Sequence, residues 1–181
     1  MPQKYDDKLD AEDEYKLFCE ADKAWENGDL RAAFELFLAM AMRGYQPSWL
    51  NVGYFFHSGL YVKRDLAKAE YWYHKAYRSG DSSGASNIAM LHKQGSRWGR
   101  MSWWLRKSLA MGNEEVRLEI GRVYECGRGC DRNPAKAEHF YRRLLSSEFV
   151  SEGAKEDANQ GLGRLGRRGS GKDFGTKRVL R

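Results

Sequence analysis

The stretch Gly53-Tyr-Phe-Phe-His-Ser-Gly59 decides the fold, because it recurs twice further along the chain. The copies are Ala89-Met-Leu-His-Lys-Gln-Gly95 and Gly121-Arg-Val-Tyr-Glu-Cys-Gly127, which follow at offsets of 36 and then 32 residues. A fixed period of this size is typical of repeat proteins, in which each unit is one supersecondary element. The repeated small residue at the first position predicts a close approach between two packed helices.

The segment after each copy has the periodicity of an α-helix. Between Leu66 and Ala76 the apolar or small residues fall at i, i+3, i+4 and i+7, and the pattern returns 68 residues later, from Pro134 to Leu144. Asp65 and Asn133 stand where N-caps are expected. The same pattern occurs 36 residues earlier, from Ala33 to Gly44, in a unit whose first helix is predicted from Asp10 to Asn27. The sequence therefore predicts an all-α fold of about four antiparallel helix pairs.

The offset of 32 residues, in place of 36, locates a short connection. The closing glycines Gly44, Gly80 and Gly112 keep the same two spacings, so the four missing residues fall in the loop between Gly95 and Met101. Loops that connect helices tolerate such deletions better than the helices themselves.

Charge separates the end of the chain from its body. The 181 residues carry a net charge of +6, and residues 161–181 alone, with seven basic residues and one acidic residue, account for all of it. We expect an acidic extension over 1–9, the repeat domain over 10–160 with a partial capping helix from Gly153 to Gln160, and a disordered tail over 161–181. Few apolar residues and six glycines favour disorder in that tail.

The second and fourth units resemble the Sel1-like repeat, a relative of the tetratricopeptide repeat. The residues that carry the resemblance are Gly53 to Gly59, Asp65, Lys68-Ala69, Trp72-Tyr73 and Lys75-Ala76, with their counterparts Gly121 to Gly127, Lys136-Ala137 and Phe140-Tyr141. The resemblance covers about residues 14 to 150. It implies a right-handed α-solenoid and a non-catalytic interaction scaffold or adaptor, of a kind often found in bacteria.

No set of residues in the sequence indicates catalysis, a metal or a cofactor. The four histidines occupy unlike repeat positions and have no metal-ligand spacing. Cys126 and Cys130 are either two free thiols or the ends of one small disulfide loop. The longest apolar run, Leu36 to Met42, is far shorter than a membrane span, and acidic residues replace the apolar core of a signal peptide. We therefore expect a cytoplasmic protein that is not an enzyme and needs no cofactor.

Two hypotheses about binding follow. In the first, this protein is an adaptor, a chaperone-like protein or an inhibitor that binds a protein or peptide in a concave groove. The groove is lined by positions that flank the repeated small residues Gly53, Ala89 and Gly121, here called the small-residue column. Those positions are Asn51, Tyr54, His57, Asn87, Met90, Lys93, Glu119, Arg122 and Glu125. The alternative is a nucleic-acid-binding accessory protein that acts through the basic tail. The tail residues are Arg164, Arg167, Arg168, Lys172, Lys177 and Arg178.

Overall fold

The structure, a computed structural model, describes residues 10–169, and within that range every regular element is an α-helix. The prediction of an all-α fold built from four helix pairs is confirmed, with one further helix at the end. The helices are α1 (Ala11–Glu26), α2 (Leu30–Arg43), α3 (Pro47–Ser58), α4 (Leu66–Arg78), α5 (Ser82–Gln94), α6 (Trp98–Ala110), α7 (Val116–Cys126), α8 (Pro134–Leu145) and α9 (Glu152–Gly169).

The described residues form two compact units, which meet in the sequence between Ser96 and Arg97. We call them unit 1, which holds α1 to α5, and unit 2, which holds α6 to α9. A single offset of 68 residues relates α2, α3 and α4 of unit 1 to α6, α7 and α8 of unit 2. Each unit can therefore be compared with the other, position by position.

The helix ends follow the predicted caps. The Asp65 carboxylate accepts hydrogen bonds from the backbone N–H groups of Ala67 and Lys68, and the Asn133 side chain accepts one from Lys136. Gly59 and Gly127 end α3 and α7 in the left-handed conformation, with φ of 76° and 68°. A residue with a β-carbon is strained there, which accounts for the repeated closing glycine.

Unit 1 is held together by an aromatic core. Phe34 of α2 packs edge-on against Phe55 of α3, with ring centroids 5.2 Å apart, and Phe37 packs against the same ring in a tilted arrangement at 6.4 Å. Trp25 from α1 packs against the same Phe55 ring at 4.8 Å. Trp72 of α4 is buried in this cluster as well. Aromatic pairs in these geometries each contribute about 0.5–1.5 kcal/mol beyond the area that they bury.

The core of unit 2 includes a cluster built around Tyr141 of α8. Ala137, Leu144 and Ala158 are buried with it, so that α9 contributes to the same cluster as α8. Leu165 of α9 packs against the cluster from its edge. The last helix is therefore part of the fold of unit 2.

The small-residue column brings the paired helices together, as predicted. A β-carbon on Gly53 would lie 2.6 Å from the ring of Tyr73, and one on Gly121 would lie 2.5 Å from the ring of Tyr141. Both distances are shorter than any normal contact, so only glycine fits against the tyrosine that follows it by 20 residues.

The four-residue deletion lies where the sequence places it. Seven residues, 59–65, join α3 to α4, and seven residues, 127–133, join α7 to α8. Only three residues, 95–97, join α5 to α6. The shortening is confined to the connection, so the helices before and after it each keep a length of 13 residues.

The predicted boundary at residue 160 is wrong. The last helix runs from Glu152 to Gly169, so residues 161–169 are helical and not part of a disordered tail. Its composition misled the prediction, because α9 is rich in glycine, which disfavours helices. Tertiary contacts compensate: Gly161 lies against the Tyr141 ring, where a β-carbon would be 2.6 Å away, and Leu162 packs against the core. Residues 170–181 lie outside the described residues, as does the predicted extension 1–9.

Candidate protein-binding surface

The residues predicted to face a partner are distributed over both units and differ in exposure. In unit 1, α3 carries Asn51, Tyr54 and His57, and α5 carries Asn87, Met90 and Lys93. Tyr54 is exposed, and the other five are half-buried. In unit 2, α7 carries Glu119, Arg122 and Glu125. Glu119 and Arg122 are half-buried, whereas Glu125 is buried.

Tyr54 and Trp25 form the apolar part of the surface on unit 1. The two rings lie 5.6 Å apart, centroid to centroid, and bring α1 and α3 together. The Tyr54 side chain remains 46% exposed, although it is a large ring on a well-packed helix. A tyrosine whose ring already packs against a tryptophan loses little conformational freedom when a partner covers it. This pair has the chemistry of an interface anchor.

A hydrogen-bonded chain of side chains lies one turn along α3 from Tyr54. Arg64 donates from Nη2 to Oε1 of Gln94 at 2.6 Å, which leaves the Gln94 amide nitrogen facing Nε2 of His57 at 2.6 Å. Nδ1 of His57 faces the hydroxyl of Tyr73 at 3.3 Å. The order of donors assigns the His57 proton to Nδ1, because Nε2 must accept from the amide.

This network favours a neutral imidazole. Burial lowers the pKa of His57, and the positive charge of Arg64 lowers it further. Burial also raises the pKa of the Tyr73 hydroxyl, so that the hydroxyl keeps its proton. The polar side of the surface is therefore uncharged at His57 and positively charged at Arg64.

Asp22 and Glu26 add negative charge at the other end of the surface. Asp22 lies one turn before Trp25 on α1, and Glu26 directly follows Trp25. Burial and the neighbouring Glu26 raise the pKa of Asp22 above its ordinary value. A basic group on a partner would relieve this repulsion between two carboxylates.

Glu125 corrects the prediction for unit 2. It was expected on the partner-facing side, but it is only 3% exposed and serves as an internal hydrogen-bond acceptor. The Tyr141 hydroxyl donates to Oε2 at 2.7 Å, and Arg164 donates to both carboxylate oxygens, at 2.8 and 3.0 Å. A buried carboxylate needs such partners to offset its lost hydration. Position alone could not predict this, because Arg164 lies 39 residues away on α9.

Arg122 is also used within unit 2. Its guanidinium donates to Glu119 at 2.7 Å on the same helix and to Asp157 of α9 at 2.8 Å. The ion pair with Asp157 holds α9 against α7, next to the contact between Glu125 and Arg164. Of the nine predicted contact residues, those on α7 therefore have internal partners, and Tyr54 remains the most exposed.

The basic tail is divided by the end of α9. The prediction that Arg164 belongs to a free electrostatic arm is wrong, because Arg164 forms the bidentate pair with Glu125 described above. Arg167 and Arg168 also belong to α9. Lys172, Lys177 and Arg178 lie outside the described residues.

Several residues of this surface were not predicted, among them Trp25, Gln94 and Arg64, and the repeat points to one of them. Trp25 and Gln94 lie on α1 and α5, outside the column used for the prediction, and Arg64 lies in a loop. Arg64 could have been found from the repeat, because its counterpart Arg132 has the same role. Arg64 donates to the carbonyl oxygen of His57 at 3.0 Å, and Arg132 donates to that of Glu125 at 3.1 Å.

Other kinds of site have little support in the part of the chain that the structure describes. Between residues 10 and 169 no three His, Cys, Asp or Glu side chains come together as metal ligands would. No described helix has the length and hydropathy needed to cross a membrane. Cys126 is exposed and Cys130 half-buried, and both are free thiols, which answers the question that their spacing left open.

Comparison with known families confirms the predicted resemblance. The family described as Sel1 repeat matches this chain three times, over residues 26–45, 50–81 and 117–146. A curated relative, the chitin synthase regulator SKT5 of Saccharomyces cerevisiae, is 27% identical over 128 residues. That alignment covers 66% of this chain and 18% of the relative, so the chain spans under a fifth of the relative's length.

Two solved structures share the fold. One is a protective antigen present in uropathogenic Escherichia coli strains that displays an SLR fold, with a TM-score of 0.70 and 23% identity. The match covers 86% of this chain and 34% of the antigen. The other is a Sel1 repeat protein from Oxalobacter formigenes, with a TM-score of 0.64, 18% identity and coverage of 88% and 75%. Both support an all-α helical repeat.

Proposed function

Since the chain is a Sel1-repeat protein, we propose that it is a non-catalytic scaffold that binds a protein or peptide. Proteins with Sel1 repeats generally mediate protein–protein interactions. The curated relative is named as a regulator of another protein, chitin synthase, and binding a protein partner is consistent with that kind of role. An adaptor, a chaperone-like protein and an inhibitor all require the same first step, which is a surface that recognises a partner.

The contact surface that we propose is the exposed side of α1, α3 and α5 in unit 1. The observation that carries the proposal is Tyr54, which is 46% exposed while its ring packs against the Trp25 ring, 5.6 Å away. Most interfaces depend on a few rigid aromatic anchors of this type, surrounded by polar groups. Here Gln94 and Arg64 supply the polar groups on one side.

The charges around Tyr54 indicate what a partner carries. Asp22 and Glu26 lie beside Trp25, and within unit 1 the acidic residues of segment 10–96 outnumber the basic ones by two. A partner segment with an apolar side chain for Tyr54 and a basic side chain for Asp22 would fit both features. Burial of an apolar group against the ring stabilises the complex, and the ion pair sets its orientation.

A pair of tyrosines provides the test. The photoreactive amino acid benzoylphenylalanine is introduced in place of Tyr54 in one variant and in place of Tyr71 in the other. Tyr71 is 58% exposed and lies on α4. Both full-length variants are irradiated in cells, and crosslinked proteins are identified by mass spectrometry. We expect a defined protein to crosslink at position 54 and not at position 71.

Affinity measurements complete the test. With the captured partner purified, Tyr54→Ala is expected to weaken binding about tenfold or more, because truncating an aromatic anchor typically costs 2 kcal/mol or more. Tyr71→Ala is expected to leave the affinity unchanged. Equal affinity of the wild type and Tyr54→Ala, with the helical circular dichroism intact in both, would refute this surface.

A further inference from the structure

The two units differ in charge. Over the described residues, segment 10–96 holds ten basic and twelve acidic residues, and segment 97–169 holds fifteen basic and ten acidic residues. The balance is −2 for the first segment and +5 for the second. Unit 2 is therefore basic even without residues 170–181.

Much of this positive charge lies on α6. No acidic residue occurs between Arg97 and Asn113, a range that includes the whole helix. The side chains of Arg100, Arg106 and Lys107 are exposed there. Trp103, on the same side of α6, is 51% exposed. An exposed tryptophan among cations that lack nearby acids is not explained by packing.

The charge continues from α6 onto α7 and α8. Arg106 donates to the hydroxyl of Tyr124 at 3.1 Å. The Lys136 ammonium of α8 lies over the Tyr124 ring, 5.3 Å from its centroid. The Lys107 ammonium lies over the Trp103 ring, 5.1 Å from its centroid. We call Trp103, Arg106, Lys107 and Lys136 the cationic surface.

The cations of this surface lie against aromatic rings and not against carboxylates. Within the described part of the chain, no ion pair joins Arg106, Lys107 or Lys136 to an acidic residue. The neighbouring carboxylates have other partners: Glu119 pairs with Arg122, and Glu138 with Arg142. The three cations therefore present positive charge that is not neutralised locally.

Unit 1 shows that the repeat does not require this arrangement. At the offset of 68 residues, Trp103, Arg106 and Lys107 correspond to Glu35, Leu38 and Ala39. Glu35 pairs with Arg31 at 2.9 Å, and Leu38 packs against the core of unit 1. Only Lys136 has a cationic counterpart, Lys68, which lies 5.1 Å from the Phe56 ring. The two units share the fold, so folding does not account for the cations of α6.

We propose that the cationic surface binds an acidic segment of a partner protein through its carboxylates. Arg106, held in place by Tyr124, presents its remaining N–H groups for a charge-assisted hydrogen bond. Lys107 and Lys136 flank it on neighbouring helices. This contact goes beyond the function proposed above, because it lies on other helices, attracts the opposite charge and can be tested without the partner of unit 1.

The coverage of the rings favours carboxylates over nucleobases. Tyr124 stacks on Phe140, with centroids 5.8 Å apart and planes at 11°, and the Lys136 ammonium lies over the Tyr124 ring, 5.3 Å from its centroid. Lys107 lies over the Trp103 ring, whose edge meets Trp104. Proteins that bind single-stranded nucleic acid stack bases on open aromatic faces. The Tyr124 ring is already in contact with Phe140 and Lys136, so this site offers a ligand charge in preference to an open ring for stacking.

The test uses the full chain and a fluorescein-labelled peptide of twelve glutamates, followed by fluorescence anisotropy at low salt. The variant Arg106→Gln/Lys107→Gln/Lys136→Gln is expected to bind about tenfold more weakly, because charge-assisted contacts are lost. The matched control is Arg142→Gln/Arg143→Gln/Lys155→Gln, which removes the same charge elsewhere in unit 2. We expect the control to change the affinity less than about twofold, since screened surface charges contribute little.

A single pair of substitutions keeps the test valid if either triple variant folds poorly. Lys136→Gln is expected to weaken peptide binding, whereas Lys68→Gln, at the equivalent position of unit 1, is not. Circular dichroism and thermal melting verify the fold of each variant.

Four outcomes would overturn the proposal. The first is no binding of the glutamate peptide by the wild type, and the second is equal loss in the variant and the control. The third is loss upon Lys172→Gln/Lys177→Gln/Arg178→Gln but not upon changing the cationic surface. The fourth is tighter binding of an oligothymidylate that has the same charge as the peptide, with an equal loss of affinity when Arg106 is substituted. That result would make nucleic acid the ligand. None of these results bears on the Tyr54 surface.

Discussion

His57 and Glu125 occupy equivalent positions 68 residues apart, and each contacts the hydroxyl of the tyrosine that follows it by 16 residues. In unit 1 the contact is between a half-buried neutral imidazole and Tyr73, with Gln94 beyond it. In unit 2 a buried carboxylate accepts from Tyr141, with Arg164 beyond it. One repeat position thus holds a neutral network in one unit and a charged network in the other.

The charged network predicts a large effect of Glu125→Gln. The substitution removes the negative charge that faces Arg164 and leaves a partly buried guanidinium with a weaker acceptor. We expect a loss of about 1–3 kcal/mol in the free energy of unfolding, measured by urea denaturation. Arg142→Gln, which disrupts the exposed pair with Glu138, is the control, with an expected loss under about 0.5 kcal/mol. Equal losses would show that the bond to Arg164 is not special.

The neutral network predicts a pH dependence that involves His57. Its pKa is lowered in the folded state, so the folded protein binds fewer protons than the unfolded chain at mildly acidic pH. The stabilisation is complete above the unfolded value of about 6.5 and is lost as the pH falls through the lower folded pKa. Melting temperatures between pH 7.5 and 5.5 should fall more steeply for the wild type than for His57→Gln. Parallel curves would contradict this assignment.

The close approach of helices predicts opposite effects for glycine substitutions. Gly53→Ala and Gly121→Ala each place a methyl group within 2.6 Å of a tyrosine ring, so we expect a loss of about 1–3 kcal/mol in unfolding free energy. In contrast, Gly163 of α9 has no atom within 4 Å of an added β-carbon. Gly163→Ala should therefore stabilise the protein, by about 0.5–1 kcal/mol, because alanine favours a helix. Chemical denaturation of all three variants measures the contrast.

The N-cap of α4 gives a fourth prediction. Asp65→Ala removes the acceptor of two backbone hydrogen bonds, from Ala67 at 3.1 Å and Lys68 at 3.0 Å. We expect a loss of about 1 kcal/mol in unfolding free energy. Asp65→Asn retains an acceptor and should lose a few tenths at most. If the two variants are equally unstable, the charge of Asp65 and not its capping bond stabilises the helix.

Most of the fold could be predicted from the sequence, because it depends on local patterns that recur. The offsets of 36 and 32 residues predicted the helix pairs and the short loop before α6. The Gly53 and Gly121 positions predicted where helices touch. These features follow from spacing and caps, which a single sequence displays directly.

The extension of the last helix beyond residue 160 and the role of Glu125 could not be predicted, for a common physical reason. Both depend on a contact between residues far apart in sequence. Composition indicated disorder from residue 161, but Gly161 and Arg164 contact Tyr141 and Glu125 of the preceding helix pair. Tertiary packing overrides weak helix propensity in this way. The candidate surface was predicted in part: Tyr54 was identified, whereas Trp25 and Gln94 were not.

The distance along the chain between Glu125 and Arg164 also bears on how the protein is made. Ribosomes add about 5–20 residues each second, so Arg164 is synthesised roughly two to eight seconds after Glu125. Until Arg164 has left the ribosome and α9 has formed, the Glu125 carboxylate between α7 and α8 lacks its cation. A chain interrupted in translation before Arg164 would therefore retain an uncompensated acid in its newest repeat. We expect such fragments to unfold readily and to be removed by proteases, so that only chains with a complete last helix accumulate.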